Sequence, residues 1–429
     1  MKGAPYRGRM EKRLRVIIVG GGIAGPAASL LLQQAGHEPL IFEAYPEPTT
    51  IGGGFQIAPN GMRVLQVLGL DRSVASAGAP AARFAFRNEH GRHLGHIDVA
   101  RSGYGVTILR AAFHRILLDE TRRRGVDIVY GKRLGRIEQT DTAVAAHFED
   151  GSVVEGDVLL AADGVHSRAR ALIFPDYAKP RYTGFVGVGG FSGSPAVQPD
   201  EEEDLHQLNF TVGSRLQFGY ATVSAAKPHW GWWTHLPQEA ELSRQDLQTI
   251  SDDAMRARVL EAFRGWHAPI EAFVSTTSQI MRTAIYDVPS LPAWHVGRVM
   301  LLGDAAHAMS PAGGQGASLA LEDALLVARG LVQRSTAVSD VFTEVESLLR
   351  VRAERIVRQA AQNDLRQLKR LGPFGQWIRD RMFPLFLPVI ARDLKREYAA
   401  LASRADQPHE TTYSPSVSCS DFGRRDRRS

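Results

Sequence analysis

The chain has almost no cysteine: a single residue in 429, Cys419. That excludes an internal disulfide framework, a cysteine-built metal site and a dithiol redox pair, and it suits a reducing, cytoplasmic setting. Long apolar runs are also missing. No uninterrupted stretch approaches the about 20 apolar residues that a membrane-spanning helix needs. Net charge is small, since 51 Lys and Arg stand against 46 Asp and Glu to leave +5. Much of that excess lies in the opening residues and in the closing GRRDRRS. A nucleic-acid partner calls for a basic stripe interleaved with aromatics on a folded face, and none is visible. There is no internal repeat and no metal-binding motif. What remains is ordinary globular composition, 44% hydrophobic and 23% charged, in a chain long enough for two or three domains.

The most informative stretch is RLRVIIVGGGIAGPAASLLL, residues 13 to 32. A basic start before an apolar run is the pattern of an export signal. Gly20, Gly21, Gly22, Gly25 and Pro26 interrupt the run, however, and a continuous signal helix tolerates them poorly. A nucleotide turn accounts for more of the residues. Val16 to Val19 reads as a strand buried on both faces. Gly20-x-Gly22-x-x-Gly25 follows, with Ala24 inside it, and then an Ala/Leu-rich helix to Gly36. The first glycine permits the tight turn, the second lets a pyrophosphate approach and the third lets helix and strand pack closely. The helix N-terminus presents free N–H groups to phosphate. A second strand, Leu40 to Phe42, ends at Glu43, about 20 residues past the turn, where a carboxylate can accept from a ribose diol.

The rest of the chain divides by strand type. Ala81 to Val99 reads as two polar-alternating strands around NEHGR, and Arg110 to Arg124 as a helix ended by Gly125. Short strands follow at Asp127–Tyr130 and Ala143–Phe148, then one strand over Val153–Ala161. Residues 181 to about 280 carry aromatic-rich strands such as RLQFGYATVS and HWGWWTHLP, with a helix near Asp252–Gly265. Val299–Leu302 returns to the buried type, so the first domain is expected to be discontinuous. Glu344 to Leu371 reads as a long polar helix. RLGPFGQWIRDRMFPLFLPVI reads as a compact apolar segment that packs onto the body, with membrane-surface contact as the weaker reading.

Two further motifs resemble turns of the same kind. GDVLLAADGVHSRAR ends a strand at Asp163-Gly164 and sets Ser167 and Arg170 at the start of a helix. GRVMLLGDAAHAMSPAGGQGASLALEDALLVA ends a strand at Gly303-Asp304. A loop holding Pro311, Gly313, Gly314 and Gly316 then feeds a helix beginning near Ala317, a second dipole-bearing surface. A carboxylate at that strand end can bind a polyol.

Together, in this order, the three motifs resemble the FAD-dependent aromatic hydroxylases typified by para-hydroxybenzoate hydroxylase and salicylate hydroxylase, over about residues 15 to 375. The resemblance implies an α/β fold: a Rossmann-like FAD-binding domain of the GR2 type, interrupted by a mostly antiparallel substrate domain and followed by C-terminal helices. The expected boundaries are a disordered lead at 1–13 and an FAD-binding domain from 14–78, 100–180 and 285–372. A substrate domain follows from 79–99 and 181–284, then a helical segment at 373–404 and a disordered tail at 405–429. The resemblance assigns Gly20, Gly22 and Gly25 to the FAD pyrophosphate and Glu43 to the adenosine ribose. It gives Arg110 to FAD, and Asp163-Gly164 to FAD and NAD(P)H together. Asp304 would hold the ribityl chain, and Pro311 to Gly316 would line the isoalloxazine. LRVRAERIVRQAAQNDL resembles the family's arginine-rich helix. Ser318, in place of a frequent asparagine, and Ser310-Pro311, in place of paired prolines, depart from the pattern.

The implied reaction uses NADPH or NADH and O2 by way of a flavin C4a-hydroperoxide to hydroxylate an aromatic or polycyclic small molecule. Epoxidation of an alkene, flavin-dependent halogenation, a geranylgeranyl-type flavin reductase and a non-catalytic flavin-binding protein are the rivals. HWGWWTHLP lacks the halogenase Trp-x-Trp-x-Ile-Pro spacing. No catalytic base is assigned, and His307 is read as a loop or packing residue. Phe55, Gln56, Gln217, Phe218, Trp233 and His235 are the substrate candidates, each of whose aromatics could equally be sheet core. The expected molecule is a cytoplasmic monomer or homodimer, without metal or nucleic-acid partner and with little expectation of membrane contact.

Overall fold

The computed structural model describes residues 13–48, 52–100, 103–177, 179–194, 206–224, 229–332 and 336–399. The expected lead up to residue 12, the tail at 405–429 and Cys419 lie outside the described residues.

Strands rich in Val, Ile and Leu, buried on both faces, build the first sheet. Arg15–Val19, Val158–Ala161 and Val299–Leu301 lie side by side and parallel, with Val16 opposite Val158 and Leu159 opposite Val299. Glu38–Phe42 and Ile128–Val129 extend the parallel set on one side, and the short His295–Val296 closes the other edge antiparallel. Helix Ala24–Gln34 returns the chain from Arg15–Val19 to Glu38–Phe42. Such a buried parallel strand–helix–strand unit delivers its strand ends to one edge, where doubly wound sheets bind nucleotides. Helices Ala24–Gln34 and Gly316–Val332 contribute Leu30, Leu32, Leu319 and Leu321 to the same core as Ile17, Ile18 and Leu160.

A second, seven-stranded sheet runs in the order Ile280–Asp287, Arg181–Ser192, Trp230–Pro237, Gln217–Thr222, Gln207–Val212, Arg83–Asn88, His93–Asp98. All its pairings are antiparallel except that of Gln207–Val212 with Arg83–Asn88. Its back face forms a separate core of Val186, Val188, Phe218, Tyr220, Trp230 and Trp232 under Met255, Val259 and Phe273.

Some expected elements change. The strand over Val153–Ala161 is two strands: Val153–Gly156 pairs with Val144–Phe148, whereas Val158–Ala161 joins the first sheet. The break falls at Gly156-Asp157, where Asp157 accepts from the Arg15 N–H at 2.8 Å and a side chain on Gly156 would strike the Arg15 carbonyl. Leu134–Gln139 and Gly54–Ile57 are strands that the sequence pattern does not announce. The polar helix is longer, Val338–Leu368. The proline-containing apolar segment belongs to one helix, Pro373–Ala399, that runs through Pro384 and Pro388. It packs with one side only. Leu387 and Tyr398 are buried, Phe383 meets Phe86 at 5.2 Å, and Asn88 donates to Asp380 at 2.6 Å.

Candidate functional site

The three glycine-bearing turns end adjacent strands of the parallel sheet, so they meet at one edge. Gly20 has φ +111°, and a Cβ there would lie 2.2 Å from the Ala162 carbonyl oxygen, one residue before Asp163-Gly164. A Cβ on Gly25 would lie 1.9 Å from the Gly20 oxygen. Both glycines are therefore demanded by the turn itself. Around Gly22, in contrast, nothing lies within 4 Å of the Cβ position. Glu43 reaches across this turn: Oε2 accepts from the Gly21 N–H at 2.6 Å, and Oε1 from the Tyr45 N–H at 2.9 Å. Its remaining lone pairs stay available beside the open glycine. His114, which the sequence did not single out, bonds the Gly21 carbonyl through Nε2 at 2.6 Å.

The second motif is more structural than its sequence suggests. The Asp163 carboxylate accepts from the Ser167 hydroxyl at 2.5 Å and from the Ala169 N–H at 3.0 Å, and Ser167 in turn caps helix Arg168–Ile173 by accepting from the Arg170 N–H. Burial pushes the Asp163 carboxyl above its ordinary range, against the lowering effect of these bonds. Gly164 has φ +81°, a left-handed position that suits glycine. Arg170 is fully buried. Its guanidinium donates to the carbonyls of Ala305 at 2.9 Å, Val165 at 2.6 Å and Tyr177 at 3.2 Å. It thus staples the second motif to the GDAAH turn.

In that third motif, Gly303 (φ +56°) lets its strand end press against Ala24 and Ala320, which joins both flanking helices to the turn. Asp304 is exposed and sits 3.9 Å from the Cβ position of Gly316, so the strand-end carboxylate and the glycine loop are neighbours. Pro311 and Gly314 are exposed, Gly313 and Ala317 partly so, and Gly314 is left-handed with nothing near its Cβ position. His307 is buried under Trp294 and bonds Asp323 Oδ2 at 2.7 Å, an oxygen that also accepts from the Gly303 N–H at 2.8 Å. Burial disfavours charge on this imidazole, but the Asp323 carboxylate outweighs it and raises its pKa. Ser318 is turned away from the loop's open side: its hydroxyl accepts from the Ala58 N–H at 3.0 Å.

Arg110 opens helix Arg110–Arg123, exposed, and its stem covers Gly52, whose Cβ position is 2.7 Å from Arg110 Cδ. Phe55 faces the first core, edge-on to Phe113 at 5.6 Å. Gln56, on the other face of that strand, holds a buried Nε2 with no hydrogen-bond partner among the described residues.

The register of the second sheet sorts the other substrate candidates. Trp233 lies opposite Gly189 on one side and Gly219 on the other, and its indole covers Gly219, whose Cβ position is 2.2 Å from the ring. His235 lies opposite Gly187, on the same face as Trp233, and Gln217 shares that face with Gly219. This face meets the first half of the molecule, because Gly54 lies against Val223 and Phe191, and Gly53 against Met281. Burial drives the His235 imidazole down to about 4, so it is neutral at physiological pH. Phe218 is the exception. It is fully buried on the opposite face, stacked at 5.4 Å on Trp232 and edge-on to Phe263. As in any strand, one-residue alternation separates it from Gln217, and a substrate role is withdrawn for it.

Asp364 carries no signal in the sequence. It is buried on the long helix, and burial pushes its pKa up to about 6 against the lowering effect of the nearby Ser310 hydroxyl, with the Asp287 carboxylate adding to the rise. Gly313 of the glycine loop packs on the same helix, at Ile356 and Ala360. The described residues hold no cluster of His, Cys, Asp or Glu that could bind a metal ion.

Strand, open glycine turn, helix without a side-chain cap and strand-end acid define a dinucleotide-binding α/β protein, and the geometry fits a dinucleotide at Gly22. Residues 13–360 match the family described as FAD binding domain, and the chain belongs to it; it is an FAD-dependent monooxygenase of the aromatic hydroxylase type. It is 30% identical to the aurachin C monooxygenase/isomerase of Stigmatella aurantiaca, over 86% of this chain and 91% of that one. It is 29% identical to 6-hydroxynicotinate 3-monooxygenase of Bordetella bronchiseptica, over 82% and 92%. The solved structure of Klebsiella pneumoniae HpxO complexed with FAD and uric acid matches with a TM-score of 0.78 at 25% identity, over 90% of this chain and 97% of that one.

Proposed function

We propose that the chain hydroxylates an aromatic or polycyclic small molecule with O2 and NAD(P)H, holding FAD at the three glycine turns and the substrate against the Trp233 face of the second sheet. The observation that carries this reading is the convergence of the three strand ends, Gly20, Ala162 and Gly303, at one edge of the parallel sheet beside the loop Pro311–Gly316. Relatives that act on 6-hydroxynicotinate, 3-amino-4-hydroxybenzoate and urate support an aromatic substrate.

FAD held at these turns would supply the redox chemistry. The protein's part is binding, orientation and exclusion of water. Gly20, Gly22, Ala24 and Gly25 receive the pyrophosphate on backbone N–H groups, and Glu43 accepts from the ribose hydroxyls. Arg110 approaches the cofactor from its helix start. Asp304 would bind the ribityl hydroxyls, and Pro311, Gly313, Gly314, Gly316 and Ala317 would line the isoalloxazine. Asp163 and Gly164 act by fixing the turn below Gly20. Trp233 offers an aromatic wall, and neutral His235 with Gln56 and Gln217 offers uncharged hydrogen-bonding groups to a phenolic or heteroaromatic substrate. The FAD-binding part then comprises 14–78, 100–180 and 285–372, and the substrate part 79–99 and 181–284. The cytoplasm, with its nicotinamide supply, is the matching compartment.

A screen of phenolic, N-heteroaromatic and polycyclic compounds tests the reading. A substrate accelerates NADPH or NADH oxidation, consumes O2 and yields a product heavier by one oxygen atom in the mass spectrum. Chloride-dependent chlorination, or nicotinamide oxidation without an oxygenated product from any compound, would overturn it.

A further inference from the structure

The helix Pro373–Ala399 packs with one side, and its other side is apolar and uncovered. Phe374 is 73% exposed, Leu385 67%, and Trp377 and Phe386 56% each, with Ile378 and Val389 in the same stripe. These positions recur at three- and four-residue spacing, so they form one ridge along the helix, opposite the buried Leu387 and Tyr398. Isolated exposed apolar residues are commonplace, but a contiguous ridge on a folded helix marks a contact surface.

The charges beside the ridge identify what it meets. Arg381 sits over the Trp377 ring at 5.4 Å. Arg392, Lys395 and Arg396 line a groove beside Pro388 and Ala391, and none of the three has an ion-pair or hydrogen-bond partner among the described residues. Asp393 is the helix's one exposed acid; Asp380 and Glu397 are turned into the protein. A second copy of this helix laid parallel on the first would bring cations against cations, and laid antiparallel would leave Arg392, Lys395 and Arg396 facing Phe374 and Trp377 without an acidic partner. An anionic surface satisfies both features: it accepts Trp, Phe and Leu at the depth of its acyl boundary and pairs its phosphates with the arginines. No described helix is long and apolar enough to cross a membrane, so the contact is with a surface.

We propose that the exposed ridge of Pro373–Ala399 docks the protein on an anionic lipid bilayer. The docked helix is tied to the flavin-facing loop. Gln315 donates to Glu397 at 2.7 Å, and Arg352 joins the Glu397 carbonyl to the buried Glu322. The bilayer therefore lies on the far side of the same helix that braces the loop.

Co-sedimentation of the full chain loaded with FAD tests this, using vesicles of phosphatidylcholine alone and of phosphatidylcholine with phosphatidylglycerol. The protein pellets with the anionic vesicles, and the binding falls as salt rises. Arg392→Gln with Arg396→Gln weakens it by about 25-fold, roughly five-fold for each charge. Leu385→Ser and, separately, Trp377→Ser weaken it as well, while all variants keep their FAD, which reports an intact fold. Failure of the wild type to pellet, or unchanged pelleting of the variants, would overturn the proposal. So would self-association in sedimentation velocity that the same substitutions abolish without any vesicle binding, which would assign the ridge to a second copy.

Discussion

The two sheets offer their proposed sites by different means. At the edge of the parallel sheet the proposed cofactor site is made by the backbone: Gly20 and Gly25 hold a turn that side chains would obstruct, and Gly164 and Gly303 take positive φ. On the seven-stranded sheet the proposed substrate site is made by side chains, Trp233, His235 and Gln217, which lie opposite or beside Gly187, Gly189 and Gly219. A backbone site recognises what every dinucleotide shares. A side-chain site can be rebuilt one residue at a time, which suits relatives named for several different aromatic substrates.

This contrast is most sharply broken at Gly25. Gly25→Ala puts a methyl 1.9 Å from the Gly20 carbonyl, a backbone clash that no rotamer relieves. We expect loss of FAD and destabilisation of about 3 kcal/mol or more, read by thermal melting and flavin content. A variant that keeps both would show that the turn is not held as described. Trp233→Ala probes the other side. It removes the wall over Gly219 and should raise KM for an aromatic substrate at least about ten-fold, from the loss of roughly 1.5 kcal/mol of aromatic contact. FAD affinity should be unchanged; a parallel loss of FAD would mean that the two regions are not separable.

The smallest effect expected concerns Asp364, beneath the loop between the two regions. Its pKa is raised in the fold, to about 6, above the unfolded carboxyl. The protonated form is favoured by folding, so this contribution is complete below the unfolded pKa and is lost as pH rises through the folded value. Asp364→Asn should therefore raise the melting temperature more at pH 8 than at pH 5. Equal shifts at both would show that the carboxyl is not held protonated.

Much of this was legible because the two regions obey different periodicities. RVIIV, VLLA and VML are apolar without alternation, as strands buried on both faces must be, and each ends in a motif. Leu134–Gln139 was not legible, because only Leu134 is buried and Ile137 is its one other large apolar residue, three positions away rather than two. The split at Gly156-Asp157 was hidden because apolar pairs flank it closely on both sides, Val153-Val154 and Val158-Leu159, while the pairing partner changes between them. Phe218 was misplaced for a simpler reason. Aromatic enrichment drew attention to the strand, but alternation within QFGYAT decides which residues face the substrate side. The prolines of Pro373–Ala399 obscured a helix that tertiary packing through Phe383, Leu387 and Tyr398 sustains. Arg170 and Asp364 act across distant segments, and nothing local announces such a partner.

The central claim is that Glu43 and the three turns hold FAD independently of the substrate sheet. Equilibrium titration of the FAD-free protein with FAD tests it most directly, with Glu43→Ala and Trp233→Ala alongside. The account predicts one FAD per chain for the wild type, the same affinity for Trp233→Ala, and an affinity about ten-fold weaker or worse for Glu43→Ala with the fold intact, as expected for the loss of a charge-assisted hydrogen bond. FAD affinity unaffected by Glu43→Ala, or no saturable binding by the wild type, would contradict it.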